Sequence, residues 1–422
     1  MKFIHAADIH LDSPLKGLER YEGAPVEEIR GATRRAFDNM VKLAIEEGAK
    51  VVLLAGDLYD GDWKDYNTGL FFVDRMRQLE VAGIHVFIVA GNHDAASQIT
   101  KQLRLPGNVT LFSISKPETA QIEIEGLELA VHGQGFAKRE VTEDLSRGYP
   151  SAVPNKFNIG ILHTCLDGKP GHEPYAPCSV DGLRSKGYQY WALGHVHNRE
   201  IVSEDPWIVF PGNIQGRHAR ELGNKGCTVV TVENAEIVSV EHRDLDVMRW
   251  AKIRIDISGI ESIDEVYDRI REEMQRVLDD ADSRLVAARL ILHGSSQAHS
   301  ELHLESVRWI QEFRALASGL VGSGIWLEKV IFETQNIVDR EDLLERDDAL
   351  GGLLRTISKL EAGDTDLDEL TLEVAPLRQK LPPDLLLGED SYDPTNPEYL
   401  TKLMGDIKEL LIDRLVRSSE SS

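Results

Sequence analysis

The chain has 422 residues, 42% apolar and 28% charged, and these proportions exclude a disordered, collagen-like or disulfide-stapled protein. Its apolar runs, such as 51–55, fall far short of the ~20 residues that a membrane helix needs, and 1–5 lack a secretory apolar core. The three cysteines, Cys165, Cys178 and Cys227, have no metal-knuckle spacing, so a reducing, cytoplasmic setting without membrane contact is expected. The net charge is -24, split into -8 over residues 1–250 and -16 over 251–422. A free-standing DNA binder is expected to be basic. Any grip on nucleic acid must therefore come from metal ions, a local patch or another subunit.

The first half alternates strand and helix. Residues 2–7 read as a short strand. Residues 27–47 read as an amphipathic helix stopped by Gly48. Residues 51–55 form an apolar strand suited to burial on both faces. A helix over 68–82 and a strand over 84–90 complete a βαβαβ pattern, which implies a mostly parallel sheet. From about Val109 the pattern changes to short strands, over 121–124, 127–132, 157–163, 190–193, 207–210, 227–232 and 237–241. These imply a second sheet packed on the first. Strands over 251–257, 285–293 and 325–333, with helices over 263–278 and 305–320, form a smaller α/β unit. Beyond Asp339 the chain becomes helical and acidic. A last helix over 398–416 carries Leu400, Leu403, Met404, Ile407, Leu411 and Leu415 on one stripe. The expected division is 1–248, 249–338 and 339–422.

The chemically informative residues stand at strand ends. Asp8 and His10 follow the first strand, Asp57 the second, and Asn92, His93 and Asp94 the third. His163 ends a later strand, and His195 and His197 follow another. Ligand sites of open α/β sheets form beyond the carboxyl ends of the strands. Imidazoles and carboxylates without thiolates suit Mn, Fe or Zn, and Asp57, in the middle of the series, can bridge two ions. An extended residue between His195 and His197 would aim both rings the same way. Gly56, Gly91 and Gly194 each precede a candidate ligand and would permit sharp turns and a close phosphate. Singly, each motif also reads as a turn or loop; together and in order, they point to a metal site.

The series Asp-Xaa-His, Gly-Asp, Gly-Asn-His-Asp, strand-end His and Gly-His-Xaa-His resembles the calcineurin-like metallophosphoesterases over roughly the first 245 residues. The opening Ala-Asp-Ile-His-Leu-Asp-Ser-Pro and the segment Pro211-Gly212-Asn213-Ile214-Gln215-Gly216-Arg217-His218 look like the SbcD/YhaO-type DNA-repair exonucleases. The resemblance implies an α/β/β/α sandwich of two sheets, a small α/β capping domain over 249–338, and a helical tail. It implies two divalent ions, usually manganese. One would be held by Asp8, His10, Asp57 and His197, the other by Asp57, Asn92, His163 and His195. His93 would act at the phosphate by stabilising charge or protonating the leaving oxygen.

Arg217 and His218 read either as phosphate or DNA-backbone contacts or as an exposed loop. Asp60 and Asp94 either orient ligand histidines or cap helices. Asp12 and Ser13 read as turn or cap residues rather than ligands, and His5 and His132 as structural, with an approach of His132 to the site left open. Trp191, Trp207 and Trp250 read as core aromatics rather than a base-stacking platform. The leading expectation is a metal-dependent DNA exonuclease, or endonuclease, acting in repair with DNA and an SMC-like coiled-coil ATPase, and a homodimer is open. The competing readings are an esterase of a small phosphoester, cyclic nucleotide or phosphoprotein, and a scaffold for an ATPase.

Overall fold

Five-residue strands buried on both faces need layers above and below, and the chain supplies them. The computed structural model describes residues 1–13, 24–60, 66–96, 104–166, 175–320, 324–337 and parts of 347–403. The last helix expected from the sequence lies almost wholly outside the described residues. The first unit opens with β1 (Lys2–Ala6), α1 (Val26–Arg30), α2 (Ala32–Glu46), β2 (Val51–Ala55), α3 (Tyr66–Val81), β3 (His85–Val89) and β4 (Val109–Leu111). The helix expected over 27–47 is broken at Gly31, which closes α1 and starts α2. Next come β5 (Glu118–Ile124), β6 (Leu127–Gly133), β7 (Phe157–His163), α4 (Val180–Arg184), β8 (Tyr190–Gly194), β9 (Glu200–Glu204), β10 (Trp207–Phe210), β11 (Gly226–Glu233) and β12 (Glu236–Asp244).

These strands form two six-stranded sheets, β12-β11-β1-β2-β3-β4 and β5-β6-β7-β8-β10-β9. In the first, β1 to β4 run parallel and β11 runs antiparallel to β1. In the second, β6, β7, β8 and β10 run parallel, with antiparallel edge strands β5 and β9. The parallel strands send their carboxyl ends the same way within each sheet, which concentrates loop residues at one edge.

Alternate side chains of β1, β2 and β3 (Phe3, Val51, Leu53, Phe87) meet Val131, Phe157, Ile159 and Tyr190 of the second sheet in an apolar layer. The opposite face (Ile4, Val52, Leu54, Val86, Ile88) packs on Phe37, Met40 and Ala44 of α2 and Phe72 and Met76 of α3. The outer face of the second sheet places Leu162, Trp191 and Leu193 with Leu183 of α4. Gly160 lies under the Trp191 ring, where a Cβ would collide with it. The result is the expected layered α/β/β/α sandwich. Trp191 and Trp250 are buried, as core aromatics should be.

Beyond Asp244 the chain forms β13 (Met248–Asp256), α5 (Ile263–Asp280), β14 (Leu285–Ser295), α6 (His299–Leu304), α7 (Ser306–Gly319), β15 (Ile325–Gln335) and α8 (Leu367–Arg378). The three strands make a sheet of order β13-β14-β15. The helix expected over 305–320 is preceded by a separate short turn of helix, α6, with Glu305 between the two. The chain divides into two compact units. The first comprises Met1–Lys252, Arg276–Arg289 and Leu320–Glu328; the second comprises Ile253–Gln275, Leu290–Gly319 and Lys329–Ser422. Among the described residues no helix is long and apolar enough to cross a membrane.

Candidate metal centre

The loops after β1, β2, β3, β7 and β8 converge at one edge of the first unit. Three of them carry residues in the left-handed backbone region, with φ of 52° at Asp8, 46° at His10, 52° at Asp57 and 101° at His195. Such values are uncommon outside glycine and persist where the surroundings impose them. Here the backbone supplies part of the restraint. Asp8 N–H donates to Gly56 O at 3.0 Å, and His10 N–H donates to Asp57 O at 3.0 Å. His195 N–H donates to the Asp8 carboxylate at 3.0 Å.

The side chains form two main donor groups. Asp8, His10 and His197 bring one ligand atom each to within 4.8 Å of one another, and so do Asp8, Asp57 and His163; a third group, His10, Asp60 and His93, meets the same limit and shares His10 with the first. Asp57 Oδ2 lies 3.9 Å from His10 Nε2 and 3.5 Å from His163 Nε2, so this carboxylate stands between the groups. His163 Nε2 is 2.9 Å from Asn92 Oδ1. His195 belongs to neither triplet. Its ring packs at 5.3 Å from that of His163 and 5.7 Å from that of Tyr175.

The donor set suits a cation. His163 Nδ1 lies 2.9 Å from the Ala55 carbonyl, which can only accept. Nδ1 must then carry the proton of the neutral ring, leaving the Nε2 lone pair facing the oxygens of Asn92 and Asp57. Burial lowers the pKa of His163 to about 3, consistent with a neutral ring. His10 is fully buried, and neither of its ring nitrogens makes a hydrogen bond. A buried polar group without a partner is costly, and a metal ion would satisfy it. Burial also raises the pKa of Asp8 and of Asp57, and for Asp8 the neighbouring Asp57 raises it further. A cation would relieve both causes.

His93 differs from its neighbour Asn92. Its backbone N–H donates to Asp57 Oδ1 at 3.0 Å, while its Nδ1 is 2.7 Å from Asp60 Oδ1. That hydrogen bond is the main reason the His93 pKa is raised. Burial alone would raise Asp60, but the hydrogen bonds from His93 and Ser13 bring it down to about 2. The His93 ring lies 5.0 Å from that of His10 and is partly exposed. Arg217 Nη1 lies 3.7 Å from Asp60 Oδ2, and the Arg217 side chain is largely buried. His218, by contrast, has about half of its side chain exposed, at 51%.

Several sequence expectations need correction. β8 ends at Gly194, and His195 is left-handed, so strand alternation does not align the rings of His195 and His197. The His195 ring packs by His163, while the His197 ring packs 5.3 Å from His10. The glycines make room for side chains and backbone of the site, and Gly56, at φ 92°, also makes the expected sharp turn. A Cβ at Gly56 would strike the His163 ring, at Gly91 the Asp57 carboxylate, and at Gly194 the Ala55 carbonyl. Asp94 caps loops instead of holding a histidine, and accepts from the backbone N–H groups of Gly91, Leu58 and Tyr59. Asp12 is more than a turn residue, since it binds Arg34 and Thr68.

Sequence reasoning missed Glu221. Its buried carboxylate lies 2.7 Å from His197 Nδ1. The only signal was an acidic residue four positions after Arg217, which is indistinguishable from an ordinary surface pair.

Comparison with known proteins identifies relatives of this chain. Residues 1–199 match the calcineurin-like phosphoesterase family, and residues 250–335 match the middle domain of the metallophosphoesterase YhaO. The chain is 31% identical to the uncharacterized metallophosphoesterase YhaO of Bacillus subtilis, over 86% of this chain and 88% of that protein. It is 25% identical to the DNA double-strand break repair protein Mre11 of Sulfurisphaera tokodaii, over 64% of this chain and 71% of that one. To Mre11 of Methanopyrus kandleri it is 24% identical, over 64% and 62%.

Proposed function

Because the chain belongs to the calcineurin-like metallophosphoesterases and is of the YhaO kind, we propose that it hydrolyses phosphodiesters of DNA at a centre of two divalent ions, manganese by preference. The observation that carries the centre is the convergence of imidazole and carboxyl donors around Asp57, with both ring nitrogens of His10 buried and without a hydrogen bond. In this reading Asp8, His10, Asp57 and His197 hold one ion, and Asp57, Asn92, His163 and His195 hold the other. Bound there, the ions supply Lewis acidity and an activated water for attack on phosphorus.

The chain's own residues do the rest. Asp60 keeps a proton on His93 Nδ1 and raises the basicity of the ring, so that His93 can face the phosphate as a cation or proton donor. Arg217, held beside Asp60, adds a fixed positive charge for a phosphate oxygen. His218 is a weaker candidate for a backbone contact because of its exposure.

Similarity to proteins named for DNA double-strand break repair supports DNA as the substrate. The net charge of -24 argues that affinity for it comes from the metal centre, a local patch or a partner rather than from the overall field. In the same reading 249–338 restricts access to the site, and 339–422 docks a coiled-coil ATPase of the SMC type. The test is hydrolysis by purified protein with Mn of linear single- and double-stranded DNA beside a chromogenic phosphodiester. Cleavage of DNA ends supports the proposal, whereas activity confined to the small ester assigns the site to another phosphoester.

A further inference from the structure

The loop between β10 and β11 contributes no ligand to the proposed centre, yet it surrounds one. Glu221 is buried there, with its side chain 5% exposed, and receives four donors. Oε1 lies 2.7 Å from His197 Nδ1 and accepts from Arg217 Nη2 at 3.1 Å. Oε2 accepts from Arg217 N–H at 2.7 Å and from Asn213 Nδ2 at 2.9 Å. The backbone of His197 is held by the same loop. Lys225 Nζ donates to the His197 carbonyl at 3.0 Å, and Asn213 N–H donates to it at 3.3 Å.

A carboxylate with four donors has every reason to stay ionised and none to donate. The proton between Glu221 and His197 therefore sits on Nδ1. Nε2 is left with its lone pair, 3.7 Å from Asp8 Oδ1, inside the first donor triplet. The same carboxylate fixes Arg217, which reaches on to Asp60 at 3.7 Å, and Asp60 holds His93. One buried group thus connects the orientation of a donor imidazole with that of the arginine beside His93.

We propose that Glu221 is a positioning residue of the metal centre: it fixes the tautomer and ring orientation of His197 and the placement of Arg217, touching neither ion nor substrate. The inference rests on the two-ion reading given above. Carboxylates that orient metal-bound histidines typically contribute 10- to 100-fold in metal affinity.

The test is equilibrium titration of full-length, metal-free protein with Mn, followed by the electron paramagnetic resonance of the free ion. Wild type should bind two ions. Glu221→Gln should bind one ion about 10- to 100-fold more weakly and the other as wild type does. In a His197→Ala background, Glu221→Gln should produce no further loss at that ion, because the ring it orients is gone. Equal binding of both ions by E221Q and wild type would overturn the inference while leaving the two-ion centre intact. A further loss of the same size in the His197→Ala background would overturn it too, since Glu221 would then act independently of that ring. So would failure of E221Q to fold while His197→Ala folds, which would make Glu221 a folding residue. Wild type that binds no Mn would instead remove the premise.

Discussion

Two regions of the first unit are equally buried and chemically opposite. Between the sheets lie Phe3, Leu53, Phe87, Ile159 and Tyr190. At the carboxyl edge of the same strands lie Asp8, His10, Asp57, Asn92 and His163, all 3% exposed or less. Histidine makes the contrast sharpest. His5, inside β1, lies 3.0 Å from the Tyr190 hydroxyl through Nδ1 and 3.1 Å from the Leu193 carbonyl through Nε2. His132 is likewise paired, with Thr119 and Asn158, and stacks on Tyr188 at 4.3 Å. The ring of His10, five residues from His5, is as buried and makes no hydrogen bond through either nitrogen. Burial alone does not mark a functional histidine; burial without partners does, because folding leaves such a group uncompensated until something binds it.

The largest effect should come from His93, which stands at the boundary between the two kinds. His93→Ala should lower kcat on a small phosphodiester by about 10²- to 10⁴-fold while leaving Mn stoichiometry unchanged. Asn92→Ala should weaken one ion, and excess Mn should restore part of its activity. Rescue of His93→Ala by Mn would move His93 into the ligand set and break the division of labour between these neighbours.

A middle-sized effect compares the two buried histidines directly. His5→Leu removes two buried hydrogen bonds and should cost about 1–3 kcal/mol in urea unfolding of the metal-free protein. His10→Leu deletes two unpaired polar atoms and should leave metal-free stability unchanged or higher. It should also cut the gain in stability that Mn gives wild type to the share of the one ion that His10 does not hold. Equal destabilisation by both substitutions would mean that His10 is structural after all.

The smallest effect is a pH dependence. Burial lowers the His5 pKa from 6.5 to about 3. The unfolded chain therefore takes up this proton first as pH falls. Stability from His5 is full above 6.5 and declines as pH falls below it toward about 3. In chelator, His5→Gln should flatten the fall of the unfolding midpoint between pH 6.5 and 5 relative to wild type. Parallel profiles would show that His5 does not carry that term.

The sequence was most readable where chemistry and strand ends coincide. The apolar runs of β1, β2 and β3, each followed at once by Asp, His or Asn, predict both the parallel sheet and the edge on which those side chains meet. Features set by tertiary neighbours were not readable. β9 is a half-exposed edge strand and β4 has only three residues, so neither has a pattern of its own. The left-handed turn at His195 follows an ordinary Gly-His and leaves no local trace. Glu221 lies 24 residues from the histidine that it meets, and only the packing of the β10–β11 loop reveals the pair.

In the proposed centre Asp57 serves two ions at once. Calorimetric titration of metal-free protein with Mn tests it most directly, comparing wild type with Asp57→Ala and the isosteric Asp57→Asn. Wild type should bind two ions, and either variant should lose tight binding of both, with the fold intact by circular dichroism. Retention of two tightly bound ions by a folded Asp57 variant would contradict it.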